Sequence, residues 1–240
     1  MYDAEKMEYI QTHIQDLMDG KIQPKIEHEQ SPVEVEVGSI TPLAGPTYIQ
    51  NVQTLDQKME TELYDQKVQM DIIELDREEK EYLATAIVDN TYAVTRSGDY
   101  GETKVATFCD VRVAFSVVYD MYEYNGGERY KVIYYTGTYV RSDDPQMFCK
   151  ELSFRHKAFG RMYTSVNNYS VKAYERAKKT ISSPTEGGVY EYAISQPGYV
   201  EVPPGYSAGQ MTYTVKRRPS TYTSEQYINI MFGDIINPFG

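Results

Sequence analysis

The chain has 240 residues, enough for one large domain or a core with an extension, and so needs no staple of disulfides or metal in order to fold. Hydrophobic residues make up 41% and charged residues 25%, which excludes collagen-like or wholly disordered behaviour. Lys and Arg number 24 against 35 Asp and Glu, a net charge of −11, which argues against wholesale binding to nucleic acid because a polyanion is repelled at long range.

The N-terminus lacks a basic n-region and an apolar h-region, and the longest apolar stretch, Val113 to Val118, contains a Ser, so neither a secretory signal nor a membrane span is expected. From residue 3 to 19 the spacing predicts an amphipathic helix. Asp3 caps it, Met7, Ile10, Ile14 and Leu17 form a narrow stripe, Gly20 stops it, and Glu5, Glu8 and Asp16 face away. Residues 21 to 50 hold four prolines and the alternation Val33, Val35, Val37 of an edge strand. The stretch 51 to 88 reads as helix, strand, helix. Its last element begins at an Asp76/Glu79 capping pair and buries Tyr82, Leu83, Ala86 and Ile87.

Residues 105 to 141 give the clearest signal. Val111, Val113, Phe115 and Val117 alternate with polar residues, Asn125-Gly126-Gly127 supplies a turn, and Tyr130, Val132 and Tyr134 resume the pattern. With about 14 residues per arm at ~3.3 Å each, such a hairpin reaches on the order of 45 Å. Its tyrosines, Tyr122, Tyr124, Tyr135 and Tyr139 among them, fall on both faces, so a second layer or another subunit is expected over the outer one. A short helix is predicted near 171–181 through Val171, Tyr174, Ala177 and Lys178. After residue 184 the chain turns rich in Pro and Gly yet keeps Tyr199, Tyr206, Tyr213, Tyr222, Tyr227, Phe232 and Phe239, the composition of an arm lying extended on a surface. The expected fold class is therefore α+β: an antiparallel sheet with a long β-hairpin flanked by a few helices, plus an extended C-terminal arm. The segments are 1–50, an acidic N-terminal piece; 51–183, the core; and 184–240, the arm.

Charge is divided along the chain. Residues 1 to 90 carry 7 basic against 20 acidic residues, a net of −13, whereas residues 91 to 183 carry 14 against 10, a net of +4. Within 150 to 179, Lys150, Arg155, Lys157, Arg161, Lys172, Arg176, Lys178 and Lys179 face only Glu151 and Glu175. Such blocks attract one another within a subunit or from one copy to the next. Interleaved Phe154, Phe159, Tyr163 and Tyr169 also make Arg155, Lys157, Arg161, Lys172, Arg176, Lys178 and Lys179 candidate polyanion contacts.

Catalytic signatures are weak. Gly205-Tyr206-Ser207-Ala208-Gly209 matches the G-x-S-x-G nucleophile elbow, but Pro203-Pro204 precede it, a strand-like run follows, and the last His in the chain is His156. The residues His13, His28 and His156 lack zinc-site spacing. The acidic cluster from Asp71 to Glu81 departs from EF-hand spacing and reads as a solvated helix face. Cys109 and Cys149 read as reduced structural thiols. No catalytic residue, metal or cofactor is expected.

The tyrosines and phenylalanines of the hairpin and arm named above become candidate oligomer-interface residues. By overall character, and by no motif, the chain reads as a non-enzymatic subunit of a symmetric assembly, most plausibly a tailed-bacteriophage virion protein of the head-to-tail connector or tail region. Its expected partners are copies of itself and other virion proteins, with nucleic-acid contact a lesser expectation, no membrane partner, and assembly in the host cytoplasm. An adhesion or glycan-binding module, or an enzyme with a dispersed site, is the alternative.

Overall fold

A computed structural model describes residues 4–25, 33–39, 59–96, 105–141, 144–218, 223–233 and 238–239. One helix, α1 (Ala4–Met18), precedes eleven strands: β1 (Val33–Ser39), β2 (Met59–Asp76), β3 (Glu81–Arg96), β4 (Val105–Tyr124), β5 (Gly127–Arg141), β6 (Met147–Ser165), β7 (Asn168–Ser182), β8 (Tyr190–Ala193), β9 (Tyr199–Val202), β10 (Tyr206–Arg217) and β11 (Thr223–Phe232). All pairings are antiparallel, in the order β1-β11-β10-β6-β9-β5-β4-β3-β2, with β7 on the far edge of β6 and β8 on β5. The sheet curls until its halves face each other as a nearly closed barrel. Phe115 of β4 meets Phe154 of β6 at 6.2 Å and Tyr119 meets Phe232 at 4.7 Å across the interior.

This overturns the α+β expectation: the described residues are nearly all antiparallel β-sheet, with a single helix among them. The helix predicted at 76–88 is the β2–β3 turn, where Lys80 takes a positive φ of 51°, followed by the start of β3. The misreading has a physical cause. Ala84, Ala86 and Val88 face the barrel interior, while Leu83 and Ile87 face outward under α1, and a strand buried on both faces imitates a helical stripe. The helix predicted at 171–181 is β7, paired with β6 from Tyr169 opposite Tyr163 to Ser182 opposite Glu151. The helical segment expected before residue 70 is β2 from Met59 onward. The extended arm after 184 is likewise absorbed into the sheet, as β8 to β11.

The long hairpin is β4–β5, closed at Asn125 (φ 52°) and Gly126 (φ 76°). Its two-faced aromatic pattern finds two covers. Inside, Tyr213 donates a hydrogen bond to Gln226 Oε1 at 2.6 Å, and Gln226 Nε2 donates to Tyr92 at 3.1 Å, so buried hydroxyls stitch β3 to β10 and β11. Outside, α1 lays Ile10, Ile14, Leu17 and Met18 on Leu83, Ile87, Val118 and Tyr134. Asp71, fully buried in β2, fastens the helix by accepting from His13 Nε2 at 2.8 Å and from the Lys25 amide at 2.9 Å.

Candidate docking surface

The outer face of β6 is set by alternation: Phe154, Ala158 and Met162 point into the core, so Arg155, Lys157, Phe159, Arg161 and Tyr163 look outward. Gly160, at φ 132°, lets the strand bend here, and a Cβ on it would lie 2.7 Å from the Gly205 backbone. Beyond the bend Tyr163 meets β9 opposite Tyr199, next to the top of β4–β5.

At that junction the rings and cations alternate. The Arg129 guanidinium lies 3.4 Å from the Tyr163 ring centre, 5.0 Å from Tyr124 and 5.4 Å from Tyr122, and its Nη1 donates to the Tyr122 hydroxyl at 2.8 Å. Tyr163 packs tilted against Tyr169 with ring centres 5.0 Å apart, and the Arg161 guanidinium covers Tyr169 at 5.5 Å. Glu201 anchors the ladder, accepting from Tyr163 at 2.9 Å and lying 3.5 Å from Arg161. Stacked cations of this kind are worth about 0.5–2 kcal/mol each according to their burial. Next to it, Tyr199 donates to Asp120 at 3.3 Å. Burial, and then the charge of Glu81, raise the Asp120 carboxyl to about 6, while burial raises the Tyr199 hydroxyl to about 12.

The exposed end of this ladder is apolar. Phe159 (46% exposed), Val166 (46%), Tyr169 (50%) and Val171 (65%) are four of the six large hydrophobic residues that stand exposed among the described residues, and all four lie on the β6–β7 hairpin. The C-terminal Phe239 folds onto the same sheet face against Ala208 and Met231, beneath Arg155 at 5.4 Å and Lys157 at 5.6 Å.

The candidate interface residues divide accordingly. Tyr135, Tyr139, Tyr213, Phe232 and Phe239 are buried by the chain itself; Tyr122, Tyr124, Tyr199, Tyr206 and Tyr227 are half-buried; Tyr222 lies outside the described residues. Of the basic set, Arg155, Lys157 and Arg161 share the outer face of β6. Lys172 and Arg176 lie in register with Gly160 and His156, on the opposite face, and Lys178 and Lys179 are exposed near the end of β7. Sequence reasoning missed Arg129 and placed Val171 inside a helix. The signal for Arg129 was its position in the turn-proximal arm of the hairpin, which sets it directly across from Tyr122.

Other chemistry finds little footing. Ser207 is buried in β10 and donates to Gln196 Oε1 at 3.0 Å, so it is no exposed nucleophile. Cys149 is buried, and burial pushes its thiol up to about 12. A cleft of about 420 Å³ between Met18, Asp89, Thr91, Asp110 and Arg112 is crossed by the Arg112–Asp89 ion pair. Among the described residues no His, Cys, Asp and Glu group could hold a metal ion, and no helix is long and apolar enough to cross a membrane. No family model, curated protein or solved structure matches the chain.

Proposed function

We propose that this chain is a structural subunit of a symmetric assembly of its own copies, of the kind that builds the head-to-tail or tail region of a tailed-bacteriophage virion. One observation carries the assembly part of this reading: four of the six large hydrophobic side chains that stand exposed among the described residues gather on a single basic hairpin. Aromatic, aliphatic and arginine side chains in one patch are the composition of an interface centre. The virion part rests on the overall character of the sequence alone.

The native mass of the full chain in solution tests it. A discrete multiple of 27.6 kDa is expected, falling to a single chain when Val171→Asp places a charge at the centre of the patch. A wild-type chain that stays monomeric at high concentration overturns the reading.

A further inference from the structure

We infer that the β6–β7 hairpin of one copy docks on the outer face of α1 of the next copy, making a head-to-tail contact. The inference rests on the assembly reading and specifies its interface.

Two surfaces of this molecule combine an exposed ring with a net charge of one sign. On the outer face of the hairpin, Tyr169 and Phe159 stand beside Arg155, Lys157 and Arg161, which outnumber the Glu175 and Glu201 carboxylates set among them. On α1, Tyr9 is 55% exposed, the only large hydrophobic residue so placed among the described residues of the helix. Exposed Glu5 lies four residues before it and three before exposed Glu8, so the three fall within about 100° of the helix circumference. Lys6, which would dilute that charge, instead reaches Glu81 at 2.9 Å and Asp76 at 3.6 Å, on the β3 side of the helix.

The two surfaces cannot meet within one chain. α1 covers the outside of β3, β4 and β5, and the hairpin presents the outside of the opposing half of the barrel, across the contacts of Phe115 with Phe154 and Tyr119 with Phe232. They look out from opposite sides. A second copy can join them, and each junction leaves one hairpin and one helix face open at the ends of the pair. The contact is therefore heterologous and repeats into a ring or a filament. Like surfaces repel: two hairpins are both basic, and two helix faces are both acidic.

Charge reversal on the full chain, read by sedimentation velocity, tests the contact, with circular dichroism confirming the fold of each variant. Wild type is expected to sediment as an oligomer, and both Glu5→Lys/Glu8→Lys and Lys157→Glu/Arg161→Glu as monomers. An equimolar mixture of the two variants reassociates, because each reversed face meets its complement on the other variant. Val171→Ser, at the most exposed of the hairpin's apolar positions, weakens association without touching any charge. A monomeric wild type overturns the inference together with the proposed function. An oligomeric wild type whose Glu5→Lys/Glu8→Lys variant sediments unchanged overturns the inference alone. So does a Lys157→Glu/Arg161→Glu variant that stays oligomeric and loses only its binding to a single-stranded oligonucleotide, since the hairpin cations then serve a polyanion.

Discussion

The hydroxyl of Tyr135 and Nδ1 of His156 share a hydrogen bond of 2.6 Å in the middle of the barrel, where neither side chain reaches solvent. Burial holds the imidazole down to about 3, far below its ordinary value near 6.5. A group with a depressed cationic pKa in the fold binds its proton only after unfolding. As pH falls from about 6.5 towards 3, this residue therefore removes up to about 1.4 kcal/mol of stability per pH unit. Asp120 acts in the opposite sense. Its carboxyl, raised to about 6, takes a proton in the fold before the unfolded chain does, so stability rises as pH falls from about 6 to 4. The two effects offset each other in that window. Urea unfolding at a series of pH values should therefore show Asp120→Asn losing stability steadily below pH 6.5 and His156→Gln gaining it between 6 and 4. Parallel profiles for the two variants would refute the assignment.

The same tyrosine explains a glycine. A Cβ on Gly209 would sit 2.4 Å from the Tyr135 ring, and one on Gly137 would sit 2.5 Å from Met211 Sδ and 2.8 Å from Phe154. Strands β5 and β10 can close on this aromatic layer only where a side chain is missing. Gly209→Ala should cost about 1–3 kcal/mol by overpacking. In a Tyr135→Leu background the same change should cost less, since the ring it strikes is gone. Thermal unfolding of the four proteins of that cycle measures the coupling, and strict additivity would mean that the strands separate to relieve the contact.

Asp71 shows how far the sequence could be read. The helix at the N-terminus was legible, because Ile10, Ile14 and Leu17 keep a period that only a one-sided helix satisfies, and the β4–β5 hairpin was legible through its strict alternation and its Asn-Gly turn. The acidic run from Asp71 to Glu81 was not. Asp71 belongs to the anchor of α1, whereas Asp76 caps the β2–β3 turn by accepting from the Glu78 and Glu79 amides at 3.0 and 3.1 Å. An Asx turn and a helix N-cap place the same residue before the same amides, so local chemistry could not separate them. Nor could the tyrosines be sorted. A buried Tyr213 bonded to Gln226 and a half-exposed Tyr122 bonded to Arg129 look alike until the partner strands are known.

Removing that anchor should loosen the helix before the barrel. Asp71→Ala leaves His13 and the Lys25 amide without their acceptor and should cost about 1–3 kcal/mol. Hydrogen exchange in residues 4–18 should rise well before that of β4 and β5, because α1 lies outside the sheet ladder and Asp71 is the carboxylate that ties both its His13 and the following Lys25 amide to β2. Uniform loss of protection over the whole chain would show instead that helix and barrel unfold as a single unit.

Arg129 tests whether the outer ladder is structural in the isolated chain. The planar guanidinium lies against Tyr163 while donating to the Tyr122 hydroxyl and, at 3.3 Å, to the Val166 carbonyl, so it ties the tip of the β6–β7 hairpin down to β5. An ammonium keeps the charge but can neither stack flat nor reach both acceptors in that geometry. Arg129→Lys should therefore cost on the order of 1–2 kcal/mol, and the loss should shrink when Tyr163 is already Leu. Its effect on the exposed patch follows from the same contacts: with the tip untied, Val166 and Tyr169 lose their fixed positions. Proteolysis within 163–169 should then accelerate in Arg129→Lys while β10 and β11 stay protected. A variant as resistant as wild type at that turn would show that β6 and β9 alone hold the hairpin in place.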